Sequence, residues 1–350
     1  ISIIGGDLRI VKLAEMLAKD EFKLYTYAID KAESLKRIKN IIQCDTIEET
    51  IKNGDIIVGS IPLSSNNLEV NTPFSDKTVS LQELAEKIKG KTFIAGNIKK
   101  DFLDLAKDSN TKIIDLLDRE ELVVLNTIST AEGAIQIAME ETTRTIHESN
   151  VLVLGFGRVG KILANMLKGI GANVFCEARK NVDLAWIKAY GYEPIRLNEL
   201  ENSLGKFNII INTIPSIILE EKQLEKVNKD CLIIDLASNP GGIDRNSAKK
   251  LGIKTIWALS LPGKVAPLTS AEFIKDTIRH KIQLIESEIN QDIKKAPPAF
   301  AGGVFCYAAA CFLATLINFS TQSHKPSLTA LRSSLHIHLL YQPGMLLPLV

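Results

Sequence analysis

The chain has 350 residues, of which 45% are hydrophobic and 24% charged. That balance predicts a globular protein of about two domains and excludes a disordered or collagen-like chain. Its 42 basic and 41 acidic residues leave a net charge of +1, so no broad electrostatic footprint for nucleic acid is present. Five cysteines (Cys44, Cys176, Cys231, Cys306 and Cys311) contain no CxxC pair. This argues against a disulfide scaffold or a metal site and fits a reduced cytosol. The first four residues run into Gly5-Gly6-Asp7 without a basic leader, so no signal peptide is expected, and the missing initiator Met suggests a trimmed or atypical start.

Taken in order, short apolar runs predict buried parallel strands at 1–4, 22–29, 55–61, 92–96, 122–125, 151–154, 174–176, 208–212, 232–236 and 255–258. Helical patterns separate several of them, which implies right-handed βαβ units and a doubly wound sheet. Ten strands exceed one ordinary sheet. The fold class expected is therefore α/β, with two Rossmann-like doubly wound parallel-sheet domains linked by long helices. The boundaries expected are an N-terminal substrate or partner domain over 1–128, a linking helix over 129–148, a dinucleotide-binding domain over 149–268 and a C-terminal helix over 269–295 that packs back on the first domain.

The linking helix is read over 130–148, with Ser129 and Glu132 at capping-box spacing. The last helix shows the same spacing at Thr269 and Glu272, and Ile274, Ile278, Ile282, Ile285 and Ile289 form a core-facing stripe. Beyond Asp292 there is no acidic residue, and 299–319 is a stretch of 21 uncharged residues. That length suits a membrane span as well as a buried helix, and membrane attachment is the less favoured reading. The segment 296–350 reads as an atypical extension, disordered or non-native.

The most informative stretch is Val151-Leu-Val-Leu-Gly155-Phe156-Gly157-Arg158-Val159-Gly160. A strand, a GxGxxG turn, an amphipathic helix and a second strand follow in the order a dinucleotide site requires. Gly155 suits the tight turn, Gly157 admits a pyrophosphate to the backbone, and Gly160 lets helix and strand pack closely. The helix N-terminus then attracts the anion. Where an NAD site places an acid on the ribose hydroxyl, this chain has Ala178 followed by Arg179 and Lys180; Glu177 lies one step early. Two cations there favour a 2′-phosphate and hence NADP over NAD. Three loops follow strands and suit the nicotinamide half: Asn212-Thr213-Ile214-Pro215-Ser216, the stretch 236–242 with Ala237 and Ser238, and 260–264 with Lys264.

GGDLR at 5–9, NTISTAEGA at 126–134, the turn at 153–164, NTIPS at 212–216, DLASNPGG at 235–242 and LPGKVAP at 261–267 together resemble the A subunits of dipicolinate synthases, over about residues 1–295. The resemblance implies a sporulating bacterium and the mother-cell cytosol. It also implies NADP-dependent oxidation of a dihydrodipicolinate-type intermediate of the lysine pathway to pyridine-2,6-dicarboxylate, and a partner in the form of a flavoprotein-like B subunit. A homo-oligomer is left open.

A dicarboxylate substrate calls for cationic or N–H donors. The candidates are Arg9, Lys264 and the backbone around 130–133 at the expected helix start. Glu132 is the candidate acid/base; His147, at the expected helix end, and His280 are poorly placed. The alternatives are an NAD(P)-dependent 2-hydroxyacid or amino-acid dehydrogenase, and a nucleotide-binding, non-catalytic subunit of a two-subunit synthase. The absence of HExxH, a nucleophile elbow or a P-loop disfavours protease, hydrolase and triphosphatase readings.

Overall fold

In the computed structural model, residues 1–107 and 109–295 are described, with side chains through Leu284. Residues 1–277 form one compact unit that holds both sheets. The first half runs β1 (Ser2–Ile4), α1 (Leu8–Lys19), β2 (Leu24–Tyr27), β3 (Ile41–Gln43), α2 (Ile47–Lys52), β4 (Ile56–Val58), α3 (Leu81–Lys87), β5 (Thr92–Ala95), α4 (Lys100–Leu105) and β6 (Lys112–Asp115). Helix α5 (Glu120–Glu141) leads to the second half. There follow β7 (Asn150–Leu154), α6 (Arg158–Gly169), β8 (Asn173–Glu177), α7 (Asn181–Ala189), β9 (Glu193–Ile195), β10 (Ile209–Asn212), α8 (Glu221–Leu224), β11 (Leu232–Asp235), α9 (Arg245–Lys250), β12 (Thr255–Trp257), α10 (Leu261–Val265) and α11 (Pro267–Lys295).

Both sheets are parallel and share one topology. The first is ordered β3-β2-β1-β4-β5-β6 and the second β12-β11-β10-β7-β8-β9. Each reverses direction beside its first strand, between β1 and β4 and between β7 and β10, and in open α/β sheets ligands bind at that switch point. Strands β1, β4, β10 and β11 are buried along their whole length, and β7 is buried in all but its first residue, Asn150. Helices cover both faces, which is why those strands read as continuous apolar runs.

Several expectations need correction. The run Leu122-Val123-Val124-Leu125 is not a strand; it forms the second turn of α5, where Leu122 is buried and Val124 is 38% exposed. A four-residue apolar run fits either element, and Glu120 and Glu121 in the first turn complement the helix dipole here. The linking helix accordingly spans Glu120–Glu141 rather than 130–148, and Ser129 and Glu132 are not its cap. Ser129 lies mid-helix and its hydroxyl donates to the Asn126 carbonyl at 3.3 Å. Thr269 and Glu272 likewise lie inside α11, which begins at Pro267, a residue suited to a first turn because its missing N–H has no partner there in any case. His147 stands beyond α5, in the turn before β7, with its Nδ1 3.2 Å from the Ile170 carbonyl. Residues 261–265 are helical, not a loop.

Three strands escaped the sequence reading: β3, β6 and β9. Each is an edge strand or partly exposed, so none carries an unbroken apolar run. Within the first unit, Lys275 of α11 pairs with Asp20 at the end of α1. The expectations for 296–350, and those for Ile285 and Ile289, lie outside the described residues and side chains.

Candidate functional site

The glycine turn between β7 and α6 has the geometry its spacing implies. Gly155 has φ +90°, and a Cβ there would stand 2.7 Å from Thr213 Oγ1 and 2.8 Å from Ile214 Cγ1. A Cβ at Gly160 would overlap the Gly155 carbonyl oxygen. These two glycines are required by packing. Gly157 is different: a Cβ there meets nothing within 4 Å. Gly157 is also the N-cap of α6, and no side chain caps the helix. The start of this 12-residue helix is therefore open at Gly157 and uncapped by any side chain, a cradle that fits a pyrophosphate. Phe156 is buried beside Tyr190 and Tyr192, with ring centroids 6.4 Å away in each case. Arg158 is exposed and pairs with Glu120 at 3.1 Å.

At the end of β8, Glu177 is buried (1% exposed). It accepts a hydrogen bond from the Gly155 backbone, burial pushes its pKa up, and its Oε1 has no partner. Its carboxylate supports the turn from beneath. Ala178, also buried, takes the strand-end position where an NAD site presents an acid, and Arg179 and Lys180 follow it in the open.

The two loops beyond β10 and β11 are tied together by buried side chains. Asn212 donates from Nδ2 to Asp235 Oδ1 at 2.8 Å and to the Ile214 carbonyl at 2.9 Å. Its Oδ1 accepts from the Ile214 amide at 3.1 Å. Asp235 also accepts from the amides of Ala237 at 3.1 Å and Gly242 at 2.9 Å. Gly241 and Gly242 wrap so closely that a Cβ on either would strike Asp235 or Asn212. Trp257 Nε1 donates to the Ala237 carbonyl at 2.8 Å. This network holds the loops bearing Thr213, Ile214, Pro215, Ala237 and Ser238 beside the glycine turn. Thr213 Oγ1 donates to the Leu154 carbonyl at 2.9 Å, which closes the arrangement.

Two adjoining cavities share Ile61, Pro62 and Ser260. The larger, about 570 Å³, is lined by Asp7, Ser60, Asn71, Thr72 and Lys264 among others. The smaller, about 310 Å³, is lined by Arg9, Asn97, Asn126, Thr127, Thr130 and Val159. Val159 lies in the first turn of α6, so this cavity reaches the start of the helix that follows the glycine turn.

Arg9 is a buried strut. Its guanidinium binds Asp7, with Nη2 2.7 Å from Oδ2, and also donates to the Ile61 carbonyl. Gly263 packs against that ion pair, where a Cβ would stand 2.6 Å from Asp7 Oδ2. Lys264 is exposed at the larger cavity and makes no hydrogen bond or ion pair with the described residues. Glu132 is not brought to these cavities; it lines a surface groove with Met139, Met166 and Ile170. The backbone of 130–133 lies within α5, so its amides are spent on the helix and offer nothing to a substrate. Sequence reasoning missed Asn126, Thr127 and Thr130 as lining residues, although their 3.6-residue spacing on one helix face was readable once 122–125 is placed in the same helix.

Comparison with known proteins agrees with this geometry. Residues 1–117 match the N-terminal domain of the dipicolinate synthase A subunit, and residues 125–241 match the NAD-binding domain of D-isomer specific 2-hydroxyacid dehydrogenases. The dipicolinate synthase A subunit of Bacillus subtilis is 33% identical over 290 residues, covering 82% of this chain and 97% of that protein. The chain belongs to the family of dipicolinate synthase A subunits. The crystal structure of the Bacillus halodurans member superposes with a TM-score of 0.71 at 30% identity, over 79% of this chain and 95% of that one. A transhydrogenase from Sinorhizobium meliloti shares the fold alone, with a TM-score of 0.59 at 14% identity over 82% of this chain and 96% of that one. The protein is an NAD(P)-dependent oxidoreductase whose residues 125–241 match an NAD-binding domain.

Proposed function

We propose that this protein, paired with a B subunit in a two-subunit synthase, oxidises a dihydropyridine dicarboxylate of the lysine pathway to pyridine-2,6-dicarboxylate, with NADP⁺ as hydride acceptor. The balance is one dihydropyridine dicarboxylate and NADP⁺ giving pyridine dicarboxylate, NADPH and H⁺. The cofactor supplies the hydride-accepting carbon; the chain supplies position and charge. The observation that carries the reading is the pair of joined cavities, which reach the start of α6 at Val159 on one side and the uncompensated cation Lys264 on the other.

Gly157 and the first amides of α6 hold the pyrophosphate, and the loops at 212–216 and 237–238 flank the nicotinamide. Arg179 and Lys180 take the 2′-phosphate, because Ala178 offers no carboxylate and that of Glu177 is buried. Lys264 meets a substrate carboxylate. The Arg9–Asp7 pair, nearly neutral as a unit, positions the 61–62 loop and the Gly263 backbone. Glu132 lies in another groove and is assigned no contact with the substrate. A flavoprotein-like B subunit completes the enzyme, and the site of action is the mother-cell cytosol of a sporulating bacterium; both follow from the family resemblance.

The test is to supply the purified chain, with and without its B partner, with the freshly generated lysine-pathway intermediate and NADP⁺ or NAD⁺, and to follow pyridine dicarboxylate absorbance. NADP⁺-dependent product well above the spontaneous rate is expected. Product formation that is independent of either nucleotide would refute the reading.

A further inference from the structure

The wall of the smaller cavity is a face of α5. Val123, Asn126, Thr127 and Thr130 line it at the i, i+3, i+4, i+7 spacing of one helical stripe. The polar groups on that stripe are not equally available. Thr130 Oγ1 donates to the Asn126 carbonyl at 2.8 Å, and Thr127 Oγ1 donates to the Val124 carbonyl at 2.6 Å. Both hydroxyl protons are thus spent within the helix. The side-chain amide of Asn126 is not: its Oδ1 is out of reach of water and has no hydrogen-bond partner. A buried amide oxygen left unpaired is unfavourable unless something arrives to satisfy it. Asn126 itself lines a cavity that also reaches Val159 at the start of α6.

We propose that Asn126 is the residue that recognises the ring nitrogen of the substrate. The inference rests on the oxidation proposed above and adds to it the group that tells an N-heterocyclic dicarboxylate from a carbocyclic one. An amide suits a ring whose nitrogen changes character. No hydrogen bond fixes its oxygen, so the amide is free to rotate: turned to the cavity, the oxygen accepts from a ring N–H and the NH₂ donates to an aromatic ring nitrogen. Lys264 pairs with carboxylates and is blind to this difference. A ring held at Asn126 lies in the same cavity as Val159, beside the start of α6.

The experiment compares two ligands that differ only at one ring atom, pyridine-2,6-dicarboxylate and benzene-1,3-dicarboxylate. Binding to the full chain in the presence of NADP⁺ is measured by calorimetry in metal-free buffer, for the wild type, Asn126→Leu and Asn126→Ala. The expected result is that the wild type prefers the pyridine ligand about tenfold, the worth of one uncharged hydrogen bond. Both variants lose that preference while their affinity for the benzene ligand stays within about twofold of wild type. A preference that persists in the variants, or is absent from the wild type, overturns the role of Asn126 and leaves the proposed oxidation standing. If neither dicarboxylate binds the wild type, the proposed substrate falls and this inference with it. Melting curves of both variants accompany the titrations; Asn126→Ala keeps the comparison possible should the leucine not be accommodated.

Discussion

Gly157 separates folding from binding more cleanly than any other residue of the glycine turn. Its backbone is extended, at φ −81° and ψ −159°, a conformation open to any residue, and a Cβ there meets nothing within 4 Å. Gly157→Val should therefore change stability by less than about 0.5 kcal/mol. The valine would stand where the pyrophosphate approaches the first amides of α6. Loss of two hydrogen bonds to a charged oxygen, at about 1.5 kcal/mol each, amounts to about 3 kcal/mol, or roughly a hundredfold weaker cofactor binding. Titration of NADPH fluorescence beside a thermal melt measures both quantities. Gly160→Ala is the contrast: its methyl would overlap the Gly155 carbonyl oxygen, so a loss of about 2–3 kcal/mol of stability is expected. If Gly157→Val binds NADPH as tightly as wild type, the pyrophosphate is not at this turn and the reasoning fails.

Replacing Arg179 and Lys180 together by Ala should weaken NADP binding about tenfold or more and leave NAD binding nearly unchanged, measured as the ratio of the two dissociation constants; equal loss for both cofactors would place the 2′-phosphate elsewhere. Asp235→Ala strips the amides of Ala237 and Gly242 and the Asn212 side chain of a shared acceptor. It should cost about 2–3 kcal/mol in denaturant unfolding, whereas a cost near zero would mean that water replaces the carboxylate freely. Glu177 has a pKa raised by burial. The folded state therefore holds its proton more tightly than the unfolded one, and stability is lost as pH rises from the unfolded value towards the folded one. Glu177→Gln removes that loss, so its melting temperature relative to wild type should be higher at pH 8 than at pH 4; no such pH dependence would contradict the burial argument.

The second sheet was legible where two independent signals coincided. Along β7, α6 and β8, a period change and the glycine spacing point to the same turn, and Gly155 and Gly160 are each held by a contact that only glycine permits. The edge strands were hidden because β3, β6 and β9 expose part of their length, which breaks the apolar run that marks a buried strand. Helix α5 was misread for a related reason. Its run at 122–125 is apolar enough for a strand, and capping-box spacing at Ser129 and Glu132 arises by chance inside a helix. That error turned attention to Glu132, on the outer groove, and away from Asn126, nearly two turns earlier on the cavity side. Arg9 illustrates a different limit. A lone arginine after a glycine turn reads equally well as an anion site or a surface charge, and its actual partners, Asp7 and the distant Ile61 carbonyl, are visible only in the fold.

The central claim is direct transfer of hydride from a substrate ring carbon to NADP⁺. The most direct measurement uses a dihydropyridine dicarboxylate carrying deuterium at the carbon that is oxidised, with the complete synthase, followed by mass analysis of the recovered NADPH. The account predicts one deuterium in the nicotinamide ring for each pyridine dicarboxylate formed. Unlabelled NADPH, with the deuterium released to water, would contradict it.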